Sequence, residues 1–300
     1  MKYNKIISLL VVCIVILSIF ASAIGIFSSG GPGDYEIQSF RGETINIYGR
    51  GLYSNDSMSV ATQGIAQDIV TAVLGIPLLI ASLCLSLRGS LKGRLLLTGT
   101  LGYFLYTFIS YVFLWMYNPM FIVYVILMSA SFFAFTLSMM SVDIRNLSSA
   151  FNKKLPVKFL GGFQIFFAAA LCLLWMSKII PTIINGTVPV GLEHYTTLVI
   201  QGLDLGVIVP IALLSGALLI KRKPFGYLLS SVIIMKGFTM GAALTAMIIG
   251  QYLAGVSMSI LEIIIFPLFS LIIFYCMLLL IKNIDDKEYK TFKKSNCNNI

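Results

Sequence analysis

Histidine occurs once in the 300-residue chain, at His194. That excludes bis-histidine haem ligation within one chain, and it excludes a histidine-rich metal site. Cysteine is also sparse: Cys13, Cys84, Cys172, Cys276 and Cys297, with no CxxC spacing. Four of these fall in apolar runs and one in the C-terminal tail, so disulfide-exchange chemistry is disfavoured. No GxxxxGK[ST], HExxH or G-x-S-x-G occurs, which removes the common nucleotide, zinc-protease and nucleophile-elbow signatures. No cofactor is implied, and ATP-driven transport by this chain alone has no motif to carry it. Charge is scarce as well, at 11% of residues, with 12 acidic against 21 basic side chains. A soluble domain of this length needs a larger charged surface than that.

What the chain has instead is apolar sequence: 58% hydrophobic residues and a mean hydropathy of +0.94. It falls into eight blocks, 6–28, 62–87, 94–116, 119–141, 159–180, 198–220, 225–249 and 259–281. Each is about twenty residues, the length that carries a helix across a bilayer. Backbone polar groups in lipid must be satisfied within the segment, so each block is a helix. The expected fold is an all-α polytopic transmembrane bundle of eight helices in one membrane domain. Its first half is 1–141, its second 159–281, and 282–300 is a tail.

The net charge of +9 is unevenly distributed. Lys2, Lys5, Arg88, Lys92, Arg94, Arg145, Lys153, Lys154, Lys158, Lys221, Arg222, Lys223 and the tail lysines fall on one side of the spans. Arg41, Arg50 and Lys178 fall on the other. This is the positive-inside bias, which puts both termini in the cytoplasm. The basicity therefore belongs to topology and anionic lipid, not to nucleic acid. The first run has a basic start and an "ASA" reminiscent of a signal-peptidase site. It continues through Ile24–Phe27, long enough to span, and is expected to remain as an uncleaved helix.

The segment 29–60 is the one substantial external loop. "SSGGPG" reads as turns, and "YEIQSFRGETINIYG" alternates around Arg41-Gly42 as a small β-hairpin would. Asn55-Asp56-Ser57 then reads as helix N-cap chemistry. An acidic mouth of Asp56, Asp68, Asp204 and Glu193, attractive to cations or amines, is a further arrangement the sequence allows.

Two stretches align without a gap: "GIPLLIASLCLSLRGSLKGRLLL" and "VIVPIALLSGALLIKRKPFGYLL". Pro77 falls opposite Pro210, Arg88 opposite Lys221, and Gly93 opposite Gly226. Helices 2–4 would then correspond to 6–8, and helix 1 to helix 5. Four helices per half makes the halves parallel, related by an axis along the membrane normal, as in some transporters.

"YGRGLYSNDS", "GIPLL", "RGSLKGRLLLTGTLGYFLYT", "YNPMFIVYV", "LEHYTTLVIQGLDLGVIVP" and "KRKPFGYLL" together resemble a family of uncharacterised bacterial polytopic membrane proteins. The resemblance spans nearly the whole chain. It implies a bacterial cytoplasmic membrane and a single eight-helix unit. It implies no activity and no catalytic residues.

The candidate site residues are the ionisable groups within the apolar blocks: Asp204, Lys236, Asp68 and Glu262, with Gln67 and Gln201 beside them. Counted from the basic loops at about 1.5 Å per residue, Asp68 and Glu262 sit near the outer edge, Asp204 about a turn deeper, and Lys236 near the midplane. A midplane lysine is costly unless paired. The short KRKP connection makes helices 6 and 7 antiparallel neighbours, which puts Asp204 within a snorkelling lysine's reach. Asp68 and Glu262 are the alternatives. A helix-7 lysine with a carboxylate also fits a retinal Schiff base, but the eight-helix count and the repeat argue against that. Three functional classes remain. They are a transporter-like protein with an outward-facing polar cavity for a small molecule or ion, a non-catalytic accessory or sensor component, and an intramembrane enzyme acting on a lipid or envelope substrate.

Overall fold

The computed structural model describes residues 3–286; Lys2 and the tail from 287, with Cys297, lie outside the described residues. Among these residues, eight helices are long and apolar enough to cross a membrane. They are α1 Asn4–Phe27, α2 Met58–Leu87, α3 Leu91–Phe113, α4 Phe121–Met140, α5 Val157–Asn185, α6 Val199–Ile220, α7 Pro224–Leu253 and α8 Ile260–Lys282. The expected all-α bundle is the observed one. Boundaries differ from the expected blocks by a few residues, mostly because α2, α5 and α7 continue past their apolar runs.

The expected hairpin also forms. Strands β1 Tyr35–Gln38 and β2 Thr44–Ile47 pair antiparallel, with Glu36 opposite Asn46 and Ile37 opposite Ile45. Gly42 sits at φ +83 in the connecting turn, a conformation open to glycine and strained for most other residues. Ile45 and Ile47 turn inward, while the outer face of β1 is exposed. After the hairpin, Ser57 N-caps α2, its side chain accepting the Val60 N–H at 3.3 Å.

Helices α3 and α7 form the centre of the bundle. The first packs on α2, α4 and α7, the second on α2, α3, α6 and α8. Their crossing is close because Gly99 has no side chain: a Cβ there would collide with Met235 and crowd the Lys236 backbone. Helix α1 covers α2 and α4, and α5 packs on α6. Gly161 of α5 and Gly216 of α6 meet backbone to backbone, the close approach that small residues permit between helices in lipid.

Helices α2 and α6 share an unusual feature. Each widens into one π-helical turn, Thr71–Gly75 and Asp204–Ile208, directly before Ile76-Pro77 and Val209-Pro210. The Ile76 N–H bonds Thr71 O, and the Val209 N–H bonds Asp204 O. Proline has no N–H to give the carbonyl four residues back and its ring crowds that carbonyl; the wider turn relieves the clash. In the register of Pro77 with Pro210 the two π turns coincide residue for residue. The hairpins that follow match as well: a Cβ on Gly93 would meet Leu85 and Ser86, and one on Gly226 would meet Leu218 and Leu219.

Candidate functional site

Asp204 is the first residue of the α6 π turn, and it faces the bundle interior. Two donors from other helices hold its carboxylate. Tyr106 of α3 donates its hydroxyl to Oδ1 at 2.8 Å, and Trp175 of α5 donates its indole N–H to Oδ2 at 3.0 Å. Lys236, on α7, lies over the face of the Tyr106 ring, its Nζ 3.9 Å from the centroid. Tyr106 therefore stands between the anion and the cation. It bonds one through its hydroxyl and the other through its π face, a geometry that stabilises a desolvated ammonium. Gly102 opens the space on α3 that the lysine stem occupies.

The sequence-based pairing of Lys236 with Asp204 is thus modified in one respect. The ion pairs among the described residues are Arg50–Asp34 and Lys178–Glu262. Lys236 and Asp204 make no direct ion pair and communicate across Tyr106. The site is nearly closed, yet Lys236 keeps 8% of its surface accessible and Asp204 keeps 9%.

Asp68 belongs to a separate cluster in the first half. It is 2% exposed. Tyr53, from the short turn after the hairpin, donates to Oδ2 at 2.5 Å, and Tyr111 of α3 donates to Oδ1 at 3.0 Å. Gly25 of α1 leaves room for this carboxyl, because a Cβ there would collide with it. Gln67 faces α3 on the adjacent side. Its amide donates to Tyr103 at 2.7 Å and to Thr107 at 3.0 Å, and Tyr103 bonds Thr71 at 2.9 Å. In the Pro77–Pro210 register Thr71 falls opposite Asp204 and Tyr103 opposite Lys236. The same two helical positions thus carry a neutral hydrogen bond in one half and the separated charges in the other.

Glu262 and Gln201 do not join either cluster. Glu262 completes a capping box with Ser259 at the start of α8 and lies 3.8 Å from Lys178. Gln201 is half-buried about one turn from Asp204 along α6. Gln251 instead accepts from Ser59 at 2.9 Å, tying α7 to α2 at the hairpin end. The acidic mouth is divided, since Asp68 and Asp204 lie in different clusters. Among the described residues no group of three or more His, Cys, Asp or Glu is placed to hold a metal.

Sequence reasoning missed the roles of Tyr106, Trp175, Tyr53 and Tyr111. A partial signal existed: Tyr103, Thr107 and Tyr111 recur every four residues, one polar stripe on an otherwise apolar helix.

At the hairpin end, the loop between α5 and α6 is latched to the hairpin. Arg41 donates to Glu193 O and Tyr195 O, both at 2.8 Å. Tyr195 donates to Asp56 Oδ1 at 2.9 Å, and the same oxygen accepts the Met116 N–H at 3.0 Å. His194 lies against Asn55 O at 3.1 Å, and Glu193 adopts φ +52. Burial pushes the Asp56 carboxyl up to about 7, with Glu193 adding to the rise. Burial also raises Glu193, assisted by Glu43, and lowers His194. A carboxyl whose pKa is higher in the latched state holds its proton there and loses it in a free loop. The Asp56 and Glu193 contributions to the latch are therefore present at low pH, that of Asp56 below about pH 4, and are lost as pH rises toward 7, while the lowered His194 contributes in the opposite sense. Hydrogen-exchange protection of residues 192–198, corrected for intrinsic rate, is expected to fall from pH 5 to pH 8. In Asp56→Asn, which keeps the acceptor oxygen, the fall should be much shallower, with only Glu193 and His194 left to titrate; equal pH dependence in both proteins would refute the assignment to Asp56.

Comparison of the chain with protein-family models, with curated proteins and with solved structures gives no match.

Proposed function

We propose that the chain is a transporter-like protein of a bacterial cytoplasmic membrane, with a small-molecule or ion site at Asp204, Lys236, Tyr106 and Trp175. The observation that carries this reading is the separation of the charges. A purely structural pair in lipid gains most by direct contact. Here the carboxylate and the ammonium lie on different parts of one tyrosine, and both keep some accessible surface. Membrane-embedded charges of this kind default to a functional role. The π turn at Asp204 points the same way, since such turns recur at functional sites.

The coincident π turns and matching hairpins support a parallel duplication of four helices, with α3 and α7 at the central axis. The basic loops support cytoplasmic termini, with the hairpin outside. The sequence resemblance to bacterial eight-helix proteins supports the bacterial membrane and the single eight-helix unit.

A second reading has one observation in its favour. Both Asp204 oxygens already have donors, so the cluster can serve as a structural tie between α3, α5 and α6. Trp175 separates the two readings. The chain has two tryptophans, and Trp115→Phe removes an indole N–H that is buried without a partner among the described residues, so the variant should fold. In membrane discs, native mass spectrometry should find a small-molecule adduct that Asp204→Asn/Lys236→Met loses. Adding that molecule back to apo Trp115→Phe should shift Trp175 emission. Adducts identical in both proteins, with emission unchanged short of unfolding, would leave only the structural tie.

A further inference from the structure

A groove of about 680 Å³ opens at the basic end of the second half. Its floor and walls are Leu214 and Leu218 of α6 and Phe225 and Leu229 of α7. The rim carries Arg145, from the segment joining the halves, and Lys223, from the α6–α7 hairpin. Both side chains are exposed, and among the described residues neither is in an ion pair. The nearest acid in sequence, Asp143, accepts from the Arg145 N–H and from the Asn146 amide.

From this placement we infer that the groove binds one anionic phospholipid, its phosphate between Arg145 and Lys223 and an acyl chain along Leu214, Leu218 and Phe225. Three features select that occupant. The groove lies where α6 ends and α7 begins, which is where a spanning helix meets the headgroup layer. Its lining is apolar and continues along α6 through exposed Leu213, Leu214 and Ala217, a surface suited to hydrocarbon. The two cations come from separate segments and both line the groove, with exposed side chains, a charge arrangement that recruits anionic headgroups to clefts between helices. A zwitterionic lipid would meet the same walls, but the two positive groups would face no net negative charge. Bound lipid would also fasten the segment joining the halves to the hairpin of the second half, a connection that does not depend on what Asp204 and Lys236 bind.

The test uses the full chain purified in detergent and offered phosphatidylglycerol or phosphatidylcholine with identical acyl chains. Bound lipid is counted by native mass spectrometry. The wild type should retain one phosphatidylglycerol in preference to phosphatidylcholine. Arg145→Gln/Lys223→Gln should weaken that retention about thirtyfold, about a factor of five for each interfacial cation. Leu214→Trp, which fills the groove without changing charge, should also lose the lipid. Arg88→Gln/Lys154→Gln, which removes two exposed cations at the same end but outside the groove, should retain it. Equal retention of phosphatidylcholine would overturn the proposal, as would unchanged retention in Arg145→Gln/Lys223→Gln or an equal loss in Arg88→Gln/Lys154→Gln. A dimer mass abolished by Leu214→Trp would assign the groove to a second copy of the chain and also refute it.

Discussion

Lys236→Met is expected to destabilise the protein in detergent by about 3–5 kcal/mol, the usual cost of leaving one member of a buried charge pair uncompensated. The Asp204 carboxylate would remain in an apolar interior with Tyr106 and Trp175 as its remaining support. Asp204→Asn should also be costly, since it leaves the ammonium with only the face of Tyr106. Combining the two removes both charges, and much of the loss should return as a coupling energy in a double-mutant cycle. Tyr106→Phe refines the test. It keeps the ring under Lys236 and removes the hydroxyl that bonds Asp204. If the pair communicates through Tyr106, coupling between positions 204 and 236 should shrink in that background. Melting curves of the single, double and triple variants decide the matter. Singles that add without coupling would mean that Asp204 does not compensate Lys236.

The contrast between what the sequence revealed at this site and what it hid has a physical cause. Apolar length is local information, so all eight helices and the hairpin around Arg41-Gly42 could be read directly. Depth is nearly local as well: counting from basic loops put Lys236 and Asp204 in the interior and Glu262 near an end. Partnership is not local. Tyr106 and Trp175 reach Asp204 from helices whose neighbours are set by packing, and neither residue type is unusual in a membrane helix. Helix α3 illustrates the difficulty. It is the least hydropathic of the eight and also the most buried, because its polar groups face protein and not lipid. Tyrosine is common in interfacial belts, so the tyrosines of α3 carry no mark of their partners in the sequence. The structure turns Tyr103 and Tyr111 toward α2 and Tyr106 toward α6 and α7. The π turns were equally hidden, although Pro77 and Pro210 marked their positions.

The other large effect is expected at Asp68, where shape and hydrogen bonding can be varied separately. The carboxyl is sealed in, with Tyr53 and Tyr111 aimed at its two oxygens and Gly25 packed against it. Asp68→Leu keeps the branched shape and heavy-atom count, though with bulkier methyl groups, and removes both acceptors. Tyr53 would lose the carboxylate it donates to, whereas Tyr111 keeps Gly64 O at 3.1 Å. A buried hydroxyl left unpaired costs about 1–3 kcal/mol, and loss of the Tyr111 bond adds about 1 kcal/mol. Asp68→Asn keeps one carbonyl acceptor but aims an amide N–H at the other hydroxyl, which must turn to accept it. It should cost less than Asp68→Leu. Tyr53→Phe in the Asp68→Leu background should recover part of the loss, because replacing both partners of a buried hydrogen bond by apolar groups is much cheaper than replacing one. Gly25→Ala should also destabilise, through collision with the carboxyl and with Tyr53, and Asp68→Ala should relieve that collision by removing the group it strikes. Thermal melts in detergent measure each step. Equal stability of Asp68→Leu and wild type would show that the carboxyl is not retained for packing. The burial of an acid in this cluster would then need a role in function, and its effect would be sought in ligand retention at Asp204 and Lys236.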